Sequence, residues 1–407
     1  MDKSRHILQL RLYPAHMARV RRWVAGLAIT ALVFEPFGST LALAHDTEKV
    51  GNKIGVPQIV TREPQIAAES ASLIDVQSGR VLYERQPDKR MRIASLTKII
   101  TAWIAVRSGK LDAIVTASDR AVRQEGSSIY LARGEKQTLR DLTYAMMLRS
   151  GNDAATAIAE FLGGSTEKFA DIMNAEVRKL GLTHSHFMNP HGLDHDQHYS
   201  TAHDMAVITA TALKNPTFAA IVSTKYYSIP WQGQKWDRKM KNKNKLLWML
   251  PGASGVKTGY TKKAGRCLAS ALTRDGRQVA LVVLRDGQDW VDSAHLLTYG
   301  ITAFDRRNIC DIAFREFHAP VRFGQKSEVK VVPSGHLVYP LHQDETAAIE
   351  VKTVHIDKLS APIRVGKKAG EVVYFLHGQK IGSLPLVTAE TVDAKGFFGR
   401  LREWIMH

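Results

Sequence analysis

A serine and a lysine lie three residues apart in the stretch RIASLTKIITAW, which starts at Arg92. On a helix this spacing puts Ser95 and Lys98 on the same face, about one turn apart. A serine hydroxyl is a weak nucleophile until a base removes its proton, and lysine serves as that base when its charged form is disfavoured. Apolar neighbours such as Ile93 and Ile99 would disfavour the charge by burial, and a nearby second cation would add to the effect. The pair therefore indicates nucleophilic catalysis by serine.

Two further short elements follow in the chain and make the pattern specific. Ser150-Gly151-Asn152 comes after a segment of helical periodicity, and Lys257-Thr258-Gly259 comes just before a predicted pair of strands. Ser-x-x-Lys, Ser-x-Asn and Lys-Thr-Gly in this order are the signature of penicillin-binding proteins and class A β-lactamases.

With these three elements in order, the chain resembles the low-molecular-mass penicillin-binding proteins that are D-alanyl-D-alanine carboxypeptidases, serine peptidases of the S11 type. The resemblance covers about Ala71 to Trp404 and includes the blocks ASLTK, SGNDAA, NPHGLD, YSTAHD, KNKNKLL and GVKTGYT. It implies an α+β fold, in which a penicillin-recognising serine transpeptidase/β-lactamase-like domain is followed by a small all-β C-terminal domain and a terminal amphipathic helix.

The chemistry of the side chains and the resemblance imply a role for each residue of the first two elements. Ser95 would attack the carbonyl between the two terminal D-alanines of a peptidoglycan stem peptide and form an acyl-enzyme, with Lys98 as the base. Ser150 would relay the proton toward the leaving D-alanine, and Asn152 would hydrogen-bond a peptide amide of the substrate. β-Lactam antibiotics would act as covalent inhibitors at the same serine.

The third element is expected to bind the substrate. Lys257 would supply positive potential and Thr258 a hydroxyl for the terminal carboxylate, while Gly259 would let the backbone approach closely. The edge of the same strand can pair with an extended substrate backbone. The backbone N–H groups of Ser95 and Tyr260 would form the oxyanion hole.

Two positions depart from the pattern of the family, and a third separates the chain from class A β-lactamases. Tyr260 stands where many relatives have histidine, which bears on details of turnover. The second element is Ser-Gly-Asn, whereas class A β-lactamases usually have Ser-Asp-Asn. Arg285 stands where the family usually has glycine, so we expect the loop that follows it to differ.

Four functions are consistent with these residues. The leading hypothesis is a carboxypeptidase that removes the terminal D-alanine from stem peptides. A D,D-endopeptidase that cleaves cross-links and a β-lactamase are alternatives on the same fold, and the rate of deacylation after penicillin separates the β-lactamase from the peptidases. The fourth is a non-catalytic cell-wall binding protein.

The N-terminal residues have the composition of a targeting segment. A basic stretch precedes a short apolar run from Trp23 to Phe34, and Ala42-Leu43-Ala44 then resembles a cleavage site. We predict a signal peptide over 1–44 and a flexible leader over 45–65, with an uncleaved anchor as the alternative. The predicted location is the periplasmic face of the inner membrane.

Charge and cysteine content set further limits. The first 44 residues contribute +4 of the net charge of +17, which leaves +13 on an exported chain. Such a chain meets anionic lipid and cell-wall polymers, so we expect no nucleic-acid partner. The basic run at 241–245 is interpreted either as a solvated loop or as a polyanion site.

Cys267 and Cys310 cannot form a disulfide framework, and the sequence leaves open one bridge or two free thiols.

Periodicity divides the exported chain into three parts. Two predicted strand pairs, with turns at Ser78-Gly79 and Asp275-Gly276, bracket a helical block and predict an α+β catalytic domain over 66–305. Short alternating runs predict an all-β domain over 311–390. Aromatic and aliphatic residues fall on one side of a predicted helix over 393–407, which would bind an anionic membrane surface or, alternatively, the β domain. These apolar residues are Phe397, Phe398, Leu401, Trp404 and Ile405.

A histidine-rich run between His184 and His203 allows a zinc site as an alternative. The run contains no His-Glu-x-x-His, however, and His191 and His198 fall inside blocks that resemble the serine peptidases. We therefore predict that the enzyme uses neither a metal nor another cofactor.

Overall fold

A computed structural model describes residues 59–313 and 315–398 of the chain. The predicted signal peptide (1–44), most of the predicted leader (45–65) and most of the predicted terminal helix (393–407) lie outside the described residues.

The centre of the catalytic part is a five-stranded antiparallel sheet with the strand order β2-β1-β9-β8-β7. Both predicted hairpins are present, and β1 from the start of the domain pairs with β9 from its end. The sheet is therefore assembled from both ends of the domain, as expected, and β7 lies at its edge with one side open. The strands are β1 (Ser70–Asp75), β2 (Val81–Arg85), β7 (Ala253–Thr261), β8 (Gly265–Arg274) and β9 (Arg277–Leu284).

Helices fill the sequence between the two strand groups, and several begin at side chains that cap them. Thr138, Ser165 and Thr201 each accept a hydrogen bond from a backbone N–H in the first turn of the helix that follows. The predicted helical block is thus confirmed. The helices are α1 (Lys98–Arg107), α2 (Asp119–Val122), α3 (Leu139–Arg149), α4 (Asn152–Gly163), α5 (Thr166–Lys179), α6 (Ala202–Leu213), α7 (Pro216–Ser223), α8 (Leu246–Met249) and α9 (Asp289–Thr302).

Each face of the sheet covers its own hydrophobic core. The alternation of strand residues sends Val282 and Leu284 toward the helical block, and Leu281 and Val283 toward α8 and α9. The larger core contains Ile93, and most of α1 and α3 to α7 packs into it. The residues that carry the chemistry therefore lie where the helical block meets the edge strand β7.

Two short strand pairs inside the helical block were not predicted. They are β3 (Ile114–Thr116) with β4 (Lys136–Thr138), and β5 (Tyr226–Ile229) with β6 (Arg238–Lys241). Runs of three or four residues are too short for alternation to be recognised in a sequence. The second pair matters for the site, because the chain leaves β6 directly into the basic run.

The C-terminal part is all β, as predicted from its alternating runs. Its main sheet has the order β14-β16-β17-β12-β11-β15, and a separate pair joins β10 to β13. Strand β10 begins within the predicted catalytic range 66–305 but pairs in the C-terminal part, so it straddles the predicted boundary. The elements are β10 (Phe304–Asn308), α10 (Ile309–Ile312), β11 (Phe317–Arg322), β12 (Glu328–Pro333), β13 (Val338–His342), β14 (Ile349–Ile356), β15 (Leu359–Ser360), β16 (Lys368–Leu376) and β17 (Gln379–Thr388).

An arginine in the β1–β2 turn connects the two parts. Arg80 donates hydrogen bonds to the Pro340 carbonyl oxygen and to the Glu345 carboxylate, and its guanidinium lies over the rings of Phe304 and Tyr339. The charge is thus paired and largely shielded from water, which favours a fixed contact between the hairpin and the β domain.

The end of the predicted leader is attached to the domain. The Val60 N–H donates to Thr302 Oγ1 at 3.0 Å, and that hydroxyl donates to the Val60 carbonyl at 2.8 Å. These two bonds hold the backbone at Val60 against the end of α9, and the flexibility predicted for the leader stays a prediction. Sequence composition gave no sign of them, since the partner lies 242 residues away.

Both cysteines are free thiols, so the open alternative of a disulfide bridge is excluded.

Within the described residues no single helix is long and apolar enough to cross a membrane. The bent pair α6 and α7 meets the length and composition criteria only when the two helices are taken together.

Candidate active site

A cavity of about 670 Å³ opens where the helical block meets the edge strand β7. A volume of this size is typical of sites for small ligands. It exposes side chains from all three sequence elements, together with residues that the sequence did not single out. The lining residues are Ser95, Ser127, Ser150, Lys243, Thr258, Gly259, Tyr260, Arg266, Cys267, Asp289 and Trp290.

Ser95 lies in a 3-10 turn, Ala94–Thr97, that leads directly into α1. The sequence predicted a continuous helix here, and the tighter turn is a correction to that prediction. The residue before the nucleophile, Ala94, has a left-handed backbone with φ +46°. Such a conformation is unfavourable for alanine and persists only where the surroundings enforce it. Contacts with the rest of the domain therefore maintain this turn against the intrinsic backbone preference of Ala94.

Lys98 is completely buried, and three oxygen atoms surround its amine. Nζ lies 3.0 Å from Ser95 Oγ, 2.7 Å from Asn152 Oδ1 and 2.6 Å from the His191 carbonyl oxygen. A neutral amine has two N–H donors and one lone pair, so Asn152 and His191 can take both donors. The lone pair then faces the Ser95 hydroxyl, which is the arrangement a general base requires.

The surroundings favour this neutral form. Burial lowers the pKa of Lys98 well below the usual value for lysine, and the nearby charges of Lys257 and Lys243 lower it further. The sequence predicted both causes, burial and a second cation.

Ser150 lies at the corner between α3 and α4. It ends α3 in a left-handed conformation with φ +66°, and α4 begins two residues later at Asn152. Ser150 Oγ accepts a hydrogen bond from Lys257 Nζ at 3.1 Å, which brings the second and third elements together. A non-glycine residue in this backbone region is often found at functional sites.

Lys257 is buried on β7, and its amine binds two acceptors. Besides Ser150, Nζ donates to the Thr258 carbonyl oxygen at 2.7 Å. Burial and the charge of Lys243 lower the pKa of Lys257 to about 7. A group with this pKa changes its protonation state near neutral pH, and its amine lies within hydrogen-bond distance of the Ser150 hydroxyl.

Asn152 lies beneath the cavity, and both ends of its amide bind protein groups. Oδ1 accepts from Lys98, and Nδ2 donates to the Glu125 carbonyl oxygen at 2.5 Å. The backbone N–H also donates to the Ser127 carbonyl. In this arrangement Asn152 orients Lys98 and holds the Ser127 loop. Its predicted contact with a substrate amide stays a prediction.

The third element supplies one wall of the cavity. A Cβ on Gly259 would lie 3.2 Å from the Ser95 backbone nitrogen, so a larger residue would push β7 and the nucleophile turn apart by a few tenths of an ångström. Thr258 is half-buried and Tyr260 is 66% exposed at the rim. The predicted roles of Thr258, Tyr260 and the oxyanion N–H groups stay predictions.

One histidine of the histidine-rich run, His198, holds the turn that carries Ser95. His198 Nδ1 accepts the Met188 N–H, so Nε2 carries the proton and donates to Thr97 Oγ1 at 2.8 Å. Thr97 in turn donates to the Ala94 carbonyl at 2.9 Å. Burial lowers the pKa of His198 to about 3, which keeps the ring neutral as this chain of hydrogen bonds requires.

The other histidines have different partners. The His191 backbone carbonyl accepts from Lys98, whereas His184 and His203 lie near the carboxylates of Asp88 and Glu84. Across the described part of the chain, no three His, Cys, Asp or Glu side chains are arranged to hold a metal ion.

The sequence missed the role of one lysine in the basic run. Lys243 lines the cavity, and its Nζ donates to Ser127 Oγ at 3.2 Å. Its charge lowers the pKa of both Lys98 and Lys257. The alternation of lysine with asparagine is a pattern that could have indicated this position. Asn242 and Asn244 are buried, so the lysines between and beside them point outward.

Replacing Lys243 with alanine should move the acidic limb of the kcat/KM profile to higher pH. Removal of this cation raises the pKa of Lys98, so a higher pH is needed to obtain the neutral base. The measurement is D-alanine release over a range of pH. Lys241→Ala, two residues earlier and over the Trp248 ring, is the matched control and should leave the limb in place. An unchanged or acid-shifted limb in Lys243→Ala would contradict the coupling.

Known families match almost the whole described chain. Residues 58–288 match the D-alanyl-D-alanine carboxypeptidase family, and residues 317–394 match the C-terminal domain of penicillin-binding protein 5. The D-alanyl-D-alanine carboxypeptidase DacC of Escherichia coli is 32% identical over 84% of this chain and 88% of its own length. DacA of the same organism is 30% identical over 93% of this chain and 95% of its own length.

A solved structure has the same fold. Penicillin-binding protein 5 from Haemophilus influenzae superposes with a TM-score of 0.65 at 29% identity, covering 82% of this chain and all of that one. The extent of these matches confirms the resemblance seen in the three sequence elements. The chain therefore belongs to the S11 family of serine peptidases, and its activity is that of a D-alanyl-D-alanine carboxypeptidase.

Proposed function

We propose that this carboxypeptidase forms its acyl-enzyme on Ser95, with Lys98 as the general base. The observation that carries the proposal is the 3.0 Å contact between Lys98 Nζ and Ser95 Oγ. It combines with full burial of the lysine, which favours the neutral amine. A half-buried serine beside a buried neutral amine, at the wall of an open cavity, has what a nucleophile needs.

Acylation then follows from these positions. Ser95 Oγ bonds to the carbonyl carbon between the two D-alanines while its proton passes to Lys98 Nζ. The C–N bond breaks, and the leaving nitrogen receives a proton from the Ser150 hydroxyl. Lys98 then passes the proton that it accepted to Ser150. The contact with Lys257 keeps Ser150 Oγ in place. The products of this step are free D-alanine and an ester on Ser95.

Hydrolysis of the ester uses the same groups. Lys98, neutral again, takes a proton from water as the water oxygen bonds to the ester carbonyl carbon. The bond from that carbon to Ser95 Oγ breaks, and Ser95 recovers its proton. In both steps the carbonyl oxygen becomes negative, and the N–H groups of Ser95 and Tyr260 would stabilise it. The close approach of Gly259 to the Ser95 nitrogen supports this assignment.

A pair of peptide substrates tests the exopeptidase assignment. Diacetyl-L-lysyl-D-alanyl-D-alanine should yield one equivalent of D-alanine, and Ser95→Ala should yield none. A cross-linked stem-peptide dimer should be cleaved far more slowly. Faster cleavage of the dimer would establish the endopeptidase alternative, and rapid turnover of penicillin would establish the β-lactamase.

We also propose that the protein is exported by residues 1–44 and binds the periplasmic face of the inner membrane through its C-terminal segment. The amphipathic sequence of residues 393–407 and the exposure of Phe397 and Phe398 support this. The basic charge of the exported chain favours an anionic surface, whereas nothing in its pattern is typical of a nucleic-acid partner.

Replacing Phe397 and Trp404 with aspartate should release the protein from anionic vesicles. The apolar side chains supply the insertion energy, and two carboxylates would add repulsion from the lipid headgroups. The bound fraction is measured by sedimentation with vesicles of anionic and of neutral lipid. Unchanged D-alanine release shows that the catalytic domain is intact. A double variant that still sediments with anionic vesicles would disprove the membrane proposal.

A further inference from the structure

One end of the β domain carries an exposed loop with three cations and one apolar residue. The loop, residues 364–368, connects β15 to β16, and all five of its residues are exposed. Its sequence is Arg-Val-Gly-Lys-Lys, and Val365 is 62% exposed between the cations. Arg364, Lys367 and Lys368 form no ion pair within the part of the chain that the structure describes. Loop 364–368 therefore presents unpaired positive charge around an exposed apolar side chain.

Hydrogen bonds to one buried threonine hold this loop in place. Thr388 Oγ1, at the end of β17, donates to the Arg364 carbonyl at 2.6 Å and accepts the Lys367 N–H at 3.0 Å. The Thr388 backbone adds two more bonds, because its N–H donates to the Lys367 carbonyl and its carbonyl accepts the Gly366 N–H. A loop fixed in this way loses little backbone entropy when its side chains bind a partner.

The loop lies at the end of the β domain from which the C-terminal segment leaves. Ile363, directly before the loop, exchanges two backbone hydrogen bonds with Val392. Two residues further along the chain, Ala394 pairs with Gly324. The exposed phenylalanines at 397–398 follow. Loop 364–368 and the start of the C-terminal segment are therefore neighbours in space.

The charge at this end of the domain is positive overall. Strand register brings together the ranges 322–328, 356–368 and 388–398. These ranges contain seven lysine and arginine residues and four acidic residues. Lys326 pairs with Glu390, so the net positive charge is carried mainly by the other basic residues. An excess of positive charge beside exposed apolar side chains favours binding to an anionic membrane surface.

The catalytic domain does not cover this end, because it contacts the opposite end of the β domain. The turn between β16 and β17 lies beside the turn between β1 and β2, and the two turns share a cavity of about 540 Å³. Arg80 makes its hydrogen bonds in the same region. Strand β16 runs for nine residues, about 30 Å, between loop 364–368 and that turn. The loop is therefore accessible to an extended surface.

We propose that loop 364–368 is a second membrane contact, in which its three cations bind the anionic headgroups of phospholipids and Val365 enters the interface. The proposal rests on the membrane location proposed above and adds a contact outside the C-terminal segment. Two contacts with one surface would fix the orientation of the enzyme on the membrane, whereas the terminal segment alone would let it rotate.

A lipid surface fits these residues better than a cell-wall polymer does. Peptidoglycan also offers carboxylates to the cations, but it has no apolar layer for Val365 to enter. A membrane offers an anionic surface above an apolar interior, and the neighbouring phenylalanines at 397–398 have the same requirement. The combination of charge and apolar exposure thus favours the membrane.

The test measures the affinity of the exported protein, residues 45–407, for vesicles of anionic and of neutral phospholipid at several salt concentrations. The triple variant Arg364→Gln, Lys367→Gln, Lys368→Gln should bind anionic vesicles about 10- to 100-fold more weakly, because each cation near such a surface contributes about fivefold to the affinity. Its binding should also depend less on salt. Its affinity for neutral vesicles should change less than about twofold.

Val365→Ser tests the apolar part of the contact separately. It should weaken binding to both kinds of vesicle about three- to tenfold, because less apolar surface leaves water in the interface. The loop variants change only exposed side chains, so they should release D-alanine at the rate of the wild type. That rate shows that each variant is folded.

A second triple variant removes the same charge from exposed positions on the catalytic domain and is the matched control. It should bind both kinds of vesicle within about twofold of the wild type. Its substitutions are Lys110→Gln, Lys214→Gln and Lys235→Gln.

Three results would overturn the proposal. The first is an equal loss of binding to anionic vesicles in the loop variant and the control, or no loss in the loop variant. The second is unchanged binding to vesicles together with reduced sedimentation with isolated peptidoglycan, which would assign the loop to the cell-wall polymer. The third is a wild type that does not sediment with anionic vesicles, and only this result would also overturn the membrane location itself.

Discussion

Replacing Lys98 with methionine should lower the rate of acylation by penicillin about 10⁴-fold, the upper range for loss of a general base. Methionine fills a similar space but offers no lone pair, so the Ser95 hydroxyl keeps its proton. The measurement is the rate of penicilloyl-enzyme formation by mass spectrometry. Lys110→Met, at an exposed lysine after α1, is the control and should react like the wild type.

The same variant should not be less stable at neutral pH. In the unfolded chain Lys98 is protonated up to about pH 10.4, whereas burial lowers its pKa in the folded protein. Between those two pKa values the unfolded state binds more protons, so the lysine costs more stability as pH falls through that window. Methionine removes this cost. A strong loss of thermal stability in Lys98→Met would mean that its amine contributes net stability through its hydrogen bonds.

Replacing Gly192 with alanine should displace the turn that carries Ser95. A Cβ there would lie 1.9 Å from the Ala94 carbonyl oxygen and 2.8 Å from Thr97 Oγ1, and the residue has φ +87°. Backbone must move to remove such an overlap, at a cost of about 3 kcal/mol or more in the free energy of unfolding. Because Ala94 directly precedes the nucleophile, acylation should slow at least about 100-fold.

Gly79→Ala is the matched control for this variant. Gly79 also has a positive φ, +75°, but a Cβ there meets no atom within 4 Å. The control should lose only about 1 kcal/mol from backbone strain and keep its acylation rate. The difference between the two glycines isolates the steric effect. Equal stability and equal acylation rates in both variants would contradict the claim that Gly192 supports the nucleophile turn.

Sequence reasoning predicted the groups that carry the chemistry because their spacing is local. Ser95 and Lys98 are three residues apart, and their contact follows from one turn of chain. The two hairpins were predicted for the same reason, since turn residues lie directly between alternating strands. Because the hairpins bracket the helical block, they also predicted a sheet assembled from both ends of the domain. The order of the three elements then added the family.

Sequence reasoning could not predict the residues that act through distant contacts. The His191 carbonyl and Asn152 meet Lys98 across 93 and 54 residues, and no local pattern reports such pairs. His198 resembled a metal ligand by composition, but its burial beside Thr97 makes it a neutral support for the nucleophile turn. Arg266 and Asp289 meet only because β8 packs against the start of α9.

Arg285 shows where a departure from the family pattern has a physical cost. Its backbone has φ +49°, a region that glycine occupies without strain. Here the arginine pairs with Glu69 and donates to the Lys263 carbonyl at 2.9 Å. These contacts offset part of the strain and connect the end of β9 to the turn after β7.

The most direct test of the central claim is the intact mass of the protein after incubation with penicillin, followed by peptide mapping of the adduct. The account predicts one penicilloyl group per wild-type chain, located on Ser95, and none on a folded Ser95→Ala variant. An adduct at another residue, or an adduct that persists in Ser95→Ala, would contradict the assignment of Ser95 as the nucleophile.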